Sequence, residues 1–156
     1  MISYKDITDD IGILVKDHMQ LRKFITGPIS EADIEKLGND NYPFAYAECT
    51  NVSIDAGSMT FDIDLVVADI VLDDLSDRRD TYDNTLLILK DLCIAILQSQ
   101  YPNSLTAKIN NRIDLQLPLE CTPFTARFDN DLTGWQTSLS ITTDNENNLC
   151  EAVYEP

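Results

Sequence analysis

From Phe61 to Leu65 the chain alternates strictly: Phe61, Ile63 and Leu65, continued by Val67, share one side, and Asp62 and Asp64 share the other. Period two is the signature of an extended strand, so one side of this segment is apolar and the other ionised. The apolar side must be buried against other elements. The carboxylate side must stay wet or meet a partner, because an unpaired buried charge is too costly. This strand, over residues 58–71, follows another over residues 44–52. Asp55-Ala56-Gly57 joins them, with Gly57 supplying the backbone freedom of a hairpin loop, and an antiparallel pair is expected.

Two helices are expected to cover the apolar face. Ile7, Ile11, Leu14, His18, Leu21 and Ile25 recur at steps of three and four with acidic and basic residues between them, which predicts an amphipathic helix over residues 4–25, ended by Gly27-Pro28. A short second helix over residues 30–38, capped from Ser30, leads into a loop at residues 38–43. Asp73, Asp74 and Asp77 precede a long helix over residues 78–99, where they complement its positive end. Its apolar residues, from Tyr82 through Leu86, Leu87 and Ile94 to Leu97, form more than one stripe, so this helix should be covered on two sides. A third strand over residues 113–119 is ended or bulged by Pro118, which places it at a sheet edge. A fourth, over residues 135–143, begins at Trp135, the only tryptophan. Residues 144–148 are a polar tail, followed by a last apolar cluster over residues 149–154. The whole reads as one α+β domain over residues 1–156: a small antiparallel sheet packed against two main helices.

Charge narrows the partners. Lys plus Arg total 11 against 27 Asp plus Glu, a net charge of −16, which opposes binding to nucleic acid or an anionic membrane. A wall of carboxylates repels phosphates and suits a surface that DNA passes without sticking. No apolar run is long enough to span a membrane, and the acidic N-terminus does not read as a secretory signal, so a soluble intracellular product is expected. Cys49, Cys93, Cys121 and Cys150 are widely spaced and read as reduced, mostly buried thiols.

Signatures of common chemistry are missing. The sequence carries no Walker-type loop, nucleophile elbow, zinc-protease helix or dinucleotide fingerprint. His18, the only histidine, lies on the apolar side of the first helix and reads as a satisfied core or boundary residue. The acidic run Asp62, Asp64, Asp69, Asp73, Asp74 and Asp77 does not match a calcium-loop spacing, and its members are better read as facing solvent, a channel or a partner than as metal ligands. No catalytic residue, cofactor or metal is expected. Phe124, Phe128, Leu132, Gly134 and Trp135 are candidates for core packing or a subunit interface, where aromatic residues are enriched and Gly134 would allow another chain to approach closely.

The order of these pieces carries a resemblance. Tyr42-Pro43, Val71-Leu-Asp-Asp-Leu-Ser76, the apolar stretch from Thr85 to Leu97, the segment Thr122-Pro-Phe-Thr-Ala-Arg-Phe-Asp-Asn-Asp-Leu-Thr-Gly-Trp135, and Asn148-Leu-Cys150 together resemble the ring-forming neck and tail-terminator-type proteins of tailed bacteriophages, particularly those of crAss-like gut phages. Leu132-Thr-Gly-Trp135 is the most specific piece. The resemblance implies a tail-terminator-like α/β sandwich whose copies join in a ring of six or twelve. Such a ring would sit in the virion neck or at the tail end, assembled in the host cytoplasm. Its neighbours would be portal, neck or tail proteins, and DNA would pass without specific binding. A different class is an acidic monomeric binding module occupying a basic site on a host or phage protein. A third is a metal-dependent hydrolase using the Asp run.

Overall fold

A computed structural model of the protein describes residues 3–27, 39–71, 76–98, 113–125 and 132–144. The expected short helix over residues 30–38, the apolar cluster over residues 149–154, and Asp73, Asp74, Phe128 and Cys150 lie outside them. The elements run α1 (Tyr4–Asp17), β1 (Lys23–Thr26), a 3-10 turn (Asn39–Asn41), β2 (Phe44–Ile54), β3 (Ser58–Ile70), α2 (Arg78–Gln98), β4 (Ile113–Leu115), β5 (Cys121–Thr125) and β6 (Leu132–Asp144). The architecture is α+β, as expected.

The first helix starts where a capping box allows. Ser3 Oγ accepts from the Asp6 N–H at 3.2 Å, and Asp6 Oδ2 accepts from the Ser3 N–H at 2.9 Å, so two otherwise orphaned donors are satisfied. Ile7, Ile11, Leu14 and Val15 form its buried stripe. It stops at Asp17, eight residues before the expected end at residue 25. His18 is its extended C-cap, with its N–H donating to Leu14 and Val15 carbonyls. Leu21 still reaches the core, but Lys23–Thr26 form a strand, since a short aromatic and β-branched segment gains more from ladder bonds with β2 than from another helical turn.

The sheet order is β1-β2-β3-β6, with β4 and β5 both pairing the far side of β6: β4 opposite Leu115↔Ile141 to Ile113↔Thr143, and β5 opposite Cys121↔Thr137 to Thr125↔Thr133. The last edge is thus one strand position filled by two segments. Pro118, preceded by a cis peptide bond, lies in the break and offers no N–H to the ladder. The predicted third strand over residues 113–119 is therefore only its first half. The sheet is mixed, not purely antiparallel, because β1 runs parallel to β2. Residues 27–43 separate the two strands, more than the dozen or so residues a parallel crossover requires.

One face of the sheet carries the main core. Phe61, Ile63, Leu65 and Val67 of β3 meet Leu139 and Ile141 of β6, Ala45 and Ala47 of β2, and the buried faces of both helices. Ile88, Leu89, Leu92, Cys93 and Ile96 form a single buried stripe on α2, continued toward its start by Thr81 and Thr85. The expected cover on two sides is not what the described residues provide: Leu87, Ile94 and Leu97 point away from the sheet, 46%, 37% and 44% exposed. No helix among the described residues is long and apolar enough to cross a membrane.

Candidate functional site

The opposite face of the sheet is divided. Toward one end Phe44, Ala68 and Leu132 are buried in a second small apolar cluster with Ile25, Tyr42, Tyr46 and Ile70 around it. Toward the hairpin end the face turns polar, with Glu48, Asn51, Thr60, Asp62, Asp64, Ser138, Ser140 and Thr142 brought onto it by the register Asp62↔Ser140 and Asp64↔Ser138.

Asp62 and Asp64 share this face, as their alternation requires, and neither is bare. Ser140 Oγ donates to Asp62 Oδ1 at 2.6 Å and Ser138 Oγ donates to Asp64 Oδ1 at 2.7 Å. Asn51 Nδ2 adds a longer bond to Asp62 Oδ2 at 3.4 Å, and Thr60 and Thr142 hydroxyls meet at 3.0 Å. Each aspartate keeps acceptor capacity toward the outside. Beside this ladder, under the break between β4 and β5, is an open polar cavity of about 400 Å³ lined by Gln116, Pro118, Glu120, Gln136, Ser138 and Ser140.

Asp69 does not belong to that face. It pairs opposite Thr133, on the other parity of β3, and is half-buried with Oδ1 accepting from the Ile70 N–H at 2.8 Å. Burial pushes its carboxyl above the ordinary range, the Ile70 bond opposes this, and Asp77 adds to the rise. The acidic run is therefore at least two environments. Among the described residues no group of three or more His, Cys, Asp or Glu is arranged to hold a metal ion.

The candidate interface residues have intramolecular work. Trp135 faces the main core, half-buried, with its indole N–H donating to the Tyr82 carbonyl at 2.9 Å and its ring edge-to-face with Tyr82 at 6.0 Å. It clamps β6 to α2. Leu132 is buried in the second cluster. Gly134 permits a close approach, but by the same chain: a Cβ there would run into the Val67 carbonyl of β3. Phe124 lies on β5 opposite Gly134, and its side chain is outside the described residues, as is Phe128. His18 bridges the helices, its Nε2 lying 3.2 Å from Asp91 Oδ2 on α2 while its Nδ1 accepts from the Gln20 N–H. That bond assigns the ring proton to Nε2 in the neutral form.

Of the thiols, Cys93 is buried on α2 and pushed up to about 12 by desolvation, with Cys121 of β5 beside it. Cys49 on β2 is raised in the same direction by burial. Both are protonated at neutral pH and poor nucleophiles.

What sequence reasoning missed is the serine pair on β6. Ser138 and Ser140 alternate with Leu139 and Ile141, a pattern that marks an outward face but not the carboxylates they meet across the sheet. No protein-family model matches the chain, and no curated protein matches it significantly.

Proposed function

We propose that the chain is a structural protein of the phage neck or tail end, acting by assembly into a ring and not by chemistry. The observation that carries this reading is the outward side of α2. Leu87, Ile94 and Leu97 lie half-exposed around Lys90 on a helix whose other side already fills the core. Half-exposed apolar side chains grouped on one side of a helix are surface that association would remove from water. The α+β fold is of the class that the resemblance implies, which adds support. A ring of six or twelve copies follows from the resemblance and from the way heterologous contacts close. DNA would then pass an acidic wall.

The mass of the purified protein, alone and mixed with candidate neck components, tests the proposal, together with an averaged image of the virion neck. Closed oligomers or copies in virions are expected. Monomer alone in every mixture, with no copies in virions, would sink it and promote the acidic binding module.

A further inference from the structure

The two edges of the sheet are protected unequally. The β4/β5 edge is broken into short segments and carries Pro118 and Pro123, which remove ladder donors. At the other edge β1 covers β2 only from Phe44 to Ala47, and the last bond is the Gly27 N–H to the Ala47 carbonyl at 3.0 Å. Gly27, at φ 84°, then turns the chain away from the ladder. From residue 48 to residue 54 β2 pairs with β3 on its inner side and with no described strand on its outer side. That is roughly 20 Å of open edge at 3.3 Å per residue. Residues 48–54 include no Lys or Pro that would guard such an edge, and among the described residues its protective devices are Glu48 and the bulge between Cys49 and Asn51. Val52 and Ile54 are 40% and 72% exposed along it.

The charge on the hairpin that forms the edge is of one sign. Residues 37–77 contain no Lys or Arg, while Glu48, Asp55, Asp62 and Asp64 lie on the hairpin itself. A second copy laid along this edge would bring its own −16 against it. A cationic strand would instead satisfy the open amides and carbonyls through its backbone, cover Val52 and Ile54 with alternate side chains, and place its charges near carboxylates that retain free acceptor sites. We propose that residues 48–54 of β2 dock an extended, Lys- or Arg-bearing segment of a different protein by strand addition. This stands on edge geometry and charge, and it survives if the ring reading fails.

The test uses the whole chain and an acetylated peptide of alternating Thr and Lys, with its Thr–Glu counterpart as control. Expected are binding of the Lys peptide alone, protection from hydrogen exchange of those amides of residues 48–54 that point away from β3, and affinity falling at least about tenfold between about 50 and about 500 mM salt. Ile54→Lys should weaken binding by a similar factor and Ile54→Glu should not. Both should leave thermal unfolding unchanged, because the side chain is largely in solvent. Equal binding of the Glu peptide, protection confined to another surface, or no difference between the two Ile54 variants would overturn the proposal. So would protection of those outward amides without peptide, together with a dimer mass, since the occupant would then be a second copy.

Discussion

At the scale of single residues, the environment decides what each acidic side chain contributes. Asp62 and Asp64 accept from serine hydroxyls on a wet face, whereas Asp69 is held half out of water with its carboxyl raised chiefly by burial. A carboxyl whose folded pKa lies above its unfolded value binds its proton more tightly in the fold. Its contribution to stability is thus full below the ordinary value of 3.8 and is lost as pH rises through the raised folded value. At neutral pH the ionised Asp69 is a cost. Asp69→Asn keeps an oxygen for the Ile70 N–H and removes the charge, so it should raise the urea midpoint at neutral pH, with the gain shrinking to nothing in acid below the ordinary carboxylate range. A variant less stable than the parent at neutral pH would mean that the carboxylate is held by a favourable partner stronger than its desolvation.

Among the elements, what the sequence made legible is what local periodicity encodes. Strands β2 and β3 and the hairpin between them followed from alternation and one glycine, and α2 from its acidic start and its apolar content. Strand β1 was hidden because Leu21 and Ile25 also continue the helical spacing of α1, and only the pairing with β2, at a distance in sequence, decides between the two. Strand β5 was hidden by Pro123, which local reasoning reads as a turn although an edge position tolerates it. The polar face was half legible: Asp62 and Asp64 announce themselves, whereas Ser138 and Ser140 gain meaning only from the β3–β6 register. Trp135 shows the same limit, since its partner Tyr82 is 53 residues away. Its clamp between β6 and α2 gives a paired prediction. Trp135→Phe retains the ring contact and loses the indole donor, at about 1 kcal/mol, whereas Trp135→Ala also loses the packing, at about 3 kcal/mol. Urea unfolding measures both. If the alanine variant melts like the parent but no longer assembles, Trp135 serves a subunit contact instead.

For the whole molecule the governing quantity is the net charge of −16 against the apolar surface left on α2. Copies that meet through Leu87, Ile94 and Leu97 gain from burial, and each added copy raises the repulsion among them. Screening with salt weakens that repulsion over a Debye length of about 10 Å at 0.1 M and leaves the apolar term in place. Association between copies should therefore strengthen as ionic strength rises, while docking of a cationic partner at the β2 edge should weaken. Opposite salt dependences separate the two surfaces in one set of mass measurements. Asp62→Asn with Asp64→Asn sharpens the distinction. The amide oxygens can still accept from Ser140 and Ser138, so the fold should hold. With two charges fewer, self-association should reach its high-salt level at lower salt, and cationic docking should fade. Self-association that weakens with salt in the parent chain would place charge pairing, not the half-exposed apolar side chains of α2, at the centre of assembly.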